Sequence, residues 1–256
     1  MKSKVICFAN QKGGVAKSTS CINTGSALKK KGKRVLYVDM DPQADTTDGL
    51  GIDADSLEKT IYDVLKGTAR AEDVILSTDR GDVLAGSIEM STADLDFNVL
   101  GKEHLLQKAI SSVRENYDYV LVDTPPTLGF STIASLSAAD WLVVPCSPSK
   151  WSNKALTKLF ESVSLVREYT KGCNLKIAGV LVTMTDSRTN NAKLNEELSE
   201  IIAESMRIEV FHTKIPYSVR VNESVNDSSD LLESSRLSKP AIAYSAFADE
   251  LMERIC

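Results

Sequence analysis

Apolar runs recur along the chain at Val5–Ala9, Val35–Val38, Val83–Ile88, Tyr119–Val122, Leu142–Cys146, Ile177–Thr183 and Ile208–Phe211. Several are continuous, the pattern of parallel strands buried on both faces. Between them apolar residues return at helical spacing. Cys21, Gly25 and Leu28 share one face, and Leu105, Ala109, Ile110 and Val113 share another. The same holds for Leu156, Leu159, Phe160, Val163 and Val166, and for Leu194, Leu198, Ile201 and Ile202. This alternation predicts an α/β fold, a doubly wound and mostly parallel sheet flanked by helices. Residues 44–80 are the least regular, with one short helical period at Thr60–Lys66. The polar stretch Asn222–Ser238 reads as a loop or frayed helix before a last helix, Pro240–Arg254. No repeat or Pro/Gly/Ser linker divides the chain, so residues 1–256 are expected to form a single domain.

Composition narrows the function classes. With 43% hydrophobic and 25% charged residues in 256, the chain can bury one sizeable core. No apolar run approaches the ~18 residues that cross a bilayer, and the first apolar stretch is too short for a signal peptide. A cytoplasmic protein is expected. Five cysteines form no CxxC spacing, which suits reduced, packed thiols. His104 and His212 are too few for a multi-histidine metal site, and no G-x-S-x-G elbow occurs. The net charge of −5 does not indicate a generally basic nucleic-acid binder. Its distribution is more informative. Residues 1–38 hold nine Lys/Arg and no Asp or Glu, and Asp39, Asp41, Asp45 and Asp48 follow at once. A basic start answered by clustered carboxylates suits a site for phosphate and a metal ion.

The first strand runs into Asn10-Gln11-Lys12-Gly13-Gly14-Val15-Ala16-Lys17-Ser18-Thr19 and then a helix. Glycines at such a junction let backbone N–H groups face phosphate oxygens, and the helix N-terminus adds its dipole. Lys17 is placed to reach the β/γ-phosphates and the Ser18 hydroxyl to ligate Mg²⁺. The pattern G-x-x-x-x-G-K-[ST] is broken where Gln11 and Ala16 replace its glycines, leaving K-G-G-x-x-K-S with a second lysine at the loop entrance. The bland alternative is a structural turn with two solvated lysines. Lys29, Lys30, Lys31, Lys33 and Arg34 read as cations at a helix C-terminus capped by Gly32. Asp45, Asp48, Asp53 and Asp55 read as solvated loop carboxylates or turn residues.

This loop is the deviant Walker A motif. Together with Asp39-Met40-Asp41-Pro42-Gln43 and Asp123-Thr124-Pro125-Pro126, it makes the sequence resemble the ParA/MinD superfamily of ATPases, most of all ParA/Soj-type partition ATPases, from residue 3 to about 223. The resemblance implies ATP and Mg²⁺ as cofactors, bound by Lys12, Gly13, Gly14, Val15, Ala16, Lys17, Ser18 and Thr19. It implies that Lys12 reaches across an ATP sandwich homodimer to the partner's phosphates and that Lys17 serves its own. It makes Asp41 the carboxylate that orients the attacking water and Asp123 a Mg²⁺ holder through a water, with Asp39 in support. Thr183 and Met184 and the Ile215-Pro216 turn fall near adenine or are strand-end packing. Absence of an N-K-x-D guanine motif leaves ATP over GTP to the resemblance.

For partners, the resemblance implies non-specific DNA, with Arg188 and Arg220 matching DNA-contacting arginines and Lys193, Lys214 and Lys239 as possible neighbours. Residues 172–256 hold 9 Lys/Arg and 13 Asp/Glu, so any basic patch must be local. A ParB-like centromere-binding protein is the expected stimulator of hydrolysis, and the expected location is the nucleoid. The chain starts almost at its first strand, without an N-terminal helix-turn-helix extension, so operator-specific autoregulation is not expected. The acidic end Ala246–Cys256 makes a poor membrane-anchoring helix. The alternatives are a MinD-like or other cargo-positioning switch without DNA binding, and a metabolic P-loop enzyme or iron-protein reductase, for which Cys146 and Cys173 lack the cluster-ligand contexts.

Overall fold

A computed structural model of the chain describes residues 3–147, 152–170, 172–186 and 208–256. The elements run β1 (Lys4–Phe8), α1 (Lys17–Lys30), β2 (Val35–Asp39), α2 (Asp45–Gly49), α3 (Ile61–Lys66), α4 (Ala71–Val74), β3 (Leu76–Thr78), β4 (Gly81–Leu84), α5 (Ala93–Asp96) and α6 (Leu105–Ile110). They continue with β5 (Tyr119–Asp123), α7 (Phe130–Ala138), β6 (Trp141–Cys146), α8 (Ser152–Tyr169), β7 (Lys176–Val182), α9 (Val219–Asn226), α10 (Leu231–Ser234) and α11 (Lys239–Arg254). Seven strands form one sheet in the order β3-β4-β2-β5-β1-β6-β7, parallel except for the β3–β4 hairpin at one edge.

The apolar runs are central strands whose successive side chains feed two separate cores. Val5 and Cys7 of β1, Leu36 and Val38 of β2, and Val120 and Val122 of β5 pack on one face under α3, α6, α7 and α8. Ile6 and Phe8, Val35 and Tyr37, and Leu121 pack on the other, under α1 and α11. The C-terminal helix buries Ala241, Tyr244, Phe247, Ala248 and Leu251 in that second core.

The approach of α1 to the sheet depends on one glycine. A Cβ on Gly25 would overlap the Tyr37 ring and hydroxyl. That hydroxyl shares its one proton between the Ile22 carbonyl at 3.1 Å and the Arg80 carbonyl at 3.2 Å, so the ring cannot swing away without losing this bifurcated bond. We expect Gly25→Ala to cost about 1–3 kcal/mol of folding stability by overpacking, read from the midpoint of denaturant unfolding.

Three sequence expectations change. The run Val83–Ile88 leaves the ladder after Leu84, because Gly86 turns in against the Asp39 carboxylate and donates to Thr47 Oγ1 at 2.9 Å. The Ile208–Phe211 strand is reduced to a single bridge between Val210 and Val180. There the Arg254 guanidinium serves the Ala178 and Val210 carbonyls at 3.0 and 3.4 Å. The stretch read as loop or frayed helix contains α9 and α10, each started by a side-chain cap, Ser218 and Asp230. The short edge strand β3 carried no periodic signal. Around Gly32 the expected C-cap forms, and Lys30 and Lys31 also pair with Asp230, Glu233 and Asp249. The helical face at Leu194–Ile202 lies outside the described residues.

Candidate functional site

The first strand delivers a loop whose shape follows from its residues. Asn10 ties it to the end of β6, donating to the Pro145 carbonyl at 2.7 Å and accepting from Lys12 N at 3.0 Å. Gly14 (φ 66°) and Ala16 (φ 60°) both take left-handed backbone, which turns the chain sharply into α1. Ala16 holds this conformation despite its Cβ, at the position where the ordinary phosphate-loop pattern has glycine. Helix α1 then starts at Lys17 with no side-chain cap and no acidic residue in its first turn. Its leading N–H groups are therefore free of a competing carboxylate, the condition for an anion to bind there.

Strands β2 and β5 end side by side, so that Asp39 and Asp123 are register partners, both fully buried. Asp39 accepts from Asp41 N at 3.1 Å, Thr47 N at 2.9 Å and Thr47 Oγ1 at 2.8 Å. Asp123 accepts from Thr46 Oγ1 at 2.8 Å, from Thr124 N at 3.1 Å and from the Ser18 hydroxyl. The two threonines of α2 thus hold that short helix against both carboxylates. Asp41, 4% exposed, accepts from Gln43 N at 3.0 Å.

A cavity of about 320 Å³ opens over this floor, lined by Gly13, Gly14, Ala16, Lys17, Ser18, Thr19, Ile22, Asp41, Gln43, Asp45, Pro126, Met184 and Val225. Of the residues expected to bind or act on nucleotide, it gathers Gly13, Gly14, Ala16, Lys17, Ser18, Thr19, Asp41 and Met184. Asp123 lies beneath it. Val15 is buried behind the loop, its carbonyl accepting from Thr183 Oγ1 at 3.0 Å. Pro216 bridges to Thr185 beside the cavity without lining it. Lys12 is also outside the lining, its ammonium 3.5 Å from the Ser147 hydroxyl. Arg220 is exposed on the first turn of α9, and Arg188 and Lys193 lie outside the described residues.

Several site residues carried no usable sequence signal. Thr46 and Thr47 matter only because β2 and β5 end in register, Val225 arrives from a segment read as loop or frayed helix, and Asp45 is an exposed carboxylate that also edges the cavity.

Electrostatics favour a cation at the cavity floor. Burial, then the charge of Asp123, pushes Asp39 well above the usual carboxylate range. Burial also raises Asp123, against the lowering effects of the Ser18 hydrogen bond and the Lys17 charge. The oxygen donors of Ser18, Thr46 and Asp123 suit a hard divalent cation. No group of three His, Cys, Asp or Glu among the described residues could hold an ion alone, so phosphate oxygens and water would complete its shell.

The raised pKa values have a sign that can be checked. The folded chain retains protons on the pair that the unfolded chain releases just above the ordinary carboxylate range. Stability of the ion-free protein therefore falls as pH rises from that range through the raised values. A bound divalent cation displaces these protons, so its affinity rises between about pH 5 and 8. Calorimetry in buffers of different ionisation enthalpy should record proton release on Mg²⁺–nucleotide binding, and a pH-independent affinity would contradict this account.

Comparisons with known proteins bear on the family and the fold. A family model described as an AAA domain matches residues 3–178. The sporulation initiation inhibitor protein Soj of Bacillus subtilis is 36% identical over 251 residues, 97% of this chain and 98% of that protein. The chromosome partitioning protein ParA of Caulobacter vibrioides is 33% identical, over 98% of this chain and 94% of its own. A solved structure called cobyrinic acid a,c-diamide synthase, from Mycobacterium smegmatis with bound ATP analogue and magnesium, superimposes with a TM-score of 0.86. It is 32% identical and covers 99% of this chain and 96% of that one. The septum site-determining protein MinD of Pyrococcus horikoshii, complexed with Mg-ADP, has the same fold, with a TM-score of 0.80 at 23% identity, covering 97% of this chain and 96% of that one.

Proposed function

The chain belongs to the ParA/Soj-type partition ATPases of the ParA/MinD family, and on that premise we propose that it is an ATP-driven DNA-segregation switch. In this reading ATP with Mg²⁺ closes a sandwich homodimer, the dimer binds DNA non-specifically, and hydrolysis stimulated by a ParB-like partner releases it. The observation that carries the reading is the separation of the two loop lysines. Lys17 lines the cavity, while Lys12, five residues earlier in the same loop, is held outside it beside Ser147. That separation supports a reading in which Lys12 serves a facing site.

Bound ATP supplies the phosphoryl group, and Mg²⁺ a divalent charge on the phosphate oxygens. The chain does the rest. The N–H groups of residues 13–18 would hold the phosphates, the Ser18 hydroxyl would ligate the metal, and Asp123 would hold it through a water. Asp41, fixed by the Asp39 and Gln43 contacts, orients the attacking water at the cavity wall. Lys12 of a second copy adds the positive charge that a loose phosphoryl-transfer transition state requires, so hydrolysis waits for dimerisation.

The outward-facing Arg220 on α9 supplies one DNA contact in this reading, and Arg188 another. A protein-cargo switch without DNA is the second reading, favoured by the acidic balance of residues 172–256. A MinD-like membrane anchor is less suited to the last helix, whose apolar face is already packed in the core. No helix among the described residues is long and apolar enough to cross a membrane.

The deciding experiment is DNA retention of the purified protein with ADP, ATP and a slowly hydrolysed ATP analogue at low and high salt. Retention with triphosphate alone, weakened steeply by salt and lost in the Arg188→Ala/Arg220→Ala double variant, supports the partition switch. Absence of retention in every state refutes DNA binding and leaves the cargo switch.

A further inference from the structure

Arg80 lies in the tight turn between β3 and β4, away from the nucleotide cavity, and is only 8% exposed. Its main chain is pinned to the core by the Tyr37 hydroxyl, which donates to its carbonyl at 3.2 Å. Its guanidinium faces two main-chain carbonyls rather than a carboxylate. Nη2 donates both to the carbonyl of Gly49 and, at 3.1 Å, to that of Ser228. Gly49 is the last residue of α2, and Ser228 closes the terminal turn of α9, its N–H donating to the Val225 carbonyl at 3.1 Å. Ser228 takes left-handed backbone (φ 48°) and sends its own hydroxyl to the Asp48 carbonyl at 2.8 Å. The ends of the two helices are therefore joined twice, and a buried cation is the common donor to both. A cation is also the charge that helix C-termini attract.

The joined helices share one further property. Helix α2 begins at the cavity edge with Asp45 and holds Asp39 and Asp123 through Thr47 and Thr46. Helix α9 lines the cavity through Val225 and carries Arg220 on its exposed first turn. Gly49 packs closely on the phosphate-loop helix, since a Cβ there would meet Ile22 Cδ1 at 2.6 Å. A shift of α2 is therefore felt on both sides of its C-terminus, at the Ile22 side chain of α1 and at the carbonyl that Arg80 holds. We infer that Arg80 is a positioning residue that couples the phosphate-facing segment 41–49 to α9, so that the nucleotide state read at Asp41–Thr47 sets the placement of the surface bearing Arg220. This inference rests on the ATP-switch reading above but not on the identity of what α9 touches.

Hydrogen–deuterium exchange of the full chain with ADP and with the ATP analogue, each with Mg²⁺, tests the coupling. In the wild type, replacing ADP by the analogue should change protection in both 45–51 and 219–229. Arg80→Met should keep the response at 45–51 and reduce that at 219–229 by about fivefold or more, with analogue affinity within about threefold of wild type. Arg80→Lys, which keeps the charge but not the two-carbonyl geometry, should fall between, and it carries the test if Arg80→Met does not fold. A merely structural arginine would lower the melting temperature and leave the paired response intact, which would overturn the inference. An uncoupled response in the wild type would overturn it too. A wild-type protein that couples both segments yet retains no DNA would instead sink the DNA reading and leave Arg80's role standing.

Discussion

Lys12→Ala is expected to abolish ATP turnover while leaving the nucleotide bound. Lys12 is outside the cavity lining in its own chain, and its ammonium is at Ser147, so losing it removes little from the cradle formed by residues 13–18. On the proposed reading, what it removes is a second positive charge for the γ-phosphoryl group of a facing copy. A charge delivered in this way is worth about 10³–10⁵ in rate, so a drop of at least about a thousandfold, roughly 4 kcal/mol of barrier, is the expected result. The triphosphate-induced dimer should disappear with it, read by light scattering or sedimentation. Lys17→Ala provides the contrast. That lysine lines the cavity, is 7% exposed, and holds down the Asp123 pKa by its charge, so its loss should weaken nucleotide binding itself. If Lys12→Ala hydrolyses ATP at the wild-type rate, or loses nucleotide affinity as Lys17→Ala does, its assignment to a facing site fails.

Asp41→Ala should also separate binding from chemistry, but with the dimer intact. The residue is buried at the cavity wall, at the end of the segment that Asp39 and Thr47 hold in place. The bond its carboxylate accepts comes from Gln43 N, outside the phosphate loop. Removing its carboxylate leaves α2 anchored through Thr46 and Thr47 and leaves Asp123 in position. ATP binding and dimerisation should survive, and hydrolysis should fall by about 10²–10⁴-fold, the range for loss of a positioned proton acceptor. With ATP the variant should then retain DNA even when the partner is added, as the wild type does with the slowly hydrolysed analogue, and partner stimulation should be absent. Single-turnover hydrolysis in a quenched-flow or radiolabel assay distinguishes a stalled chemical step from slow product release. Hydrolysis at the wild-type rate would remove Asp41 from the water-orienting role.

Both predictions draw on residues that were visible before any tertiary structure, and one draws its contrast from a feature that was not. The spacing of Lys12 and Lys17 identifies two lysines in one loop but says nothing about which faces the cavity. Their division follows from the left-handed turns at Gly14 and Ala16, which carry Lys17 into the first turn of α1, and from the tie between Asn10 and Pro145, which leaves Lys12 beside β6. The Asp39/Asp123 pair is similar. Each aspartate announces a strand end, yet their mutual repulsion exists only because β2 and β5 finish in register.

The sequence by itself determined the strand–helix alternation, the parallel sheet, the glycine-rich strand-to-helix junction and the types of residue available for phosphate and metal. These are local properties: periodicity, glycine and lysine spacing and helix-end chemistry each depend on near neighbours along the chain. Only the tertiary structure decided which hydroxyls meet which carboxylates, that α9 reaches the nucleotide cavity through Val225, and that Arg80 joins two helix ends far apart in sequence. Those contacts are made by strand register and by the close approach that Gly25 and Gly49 allow. Register and approach distance are settled when the two cores pack on opposite faces of the sheet, and no window along the chain contains them.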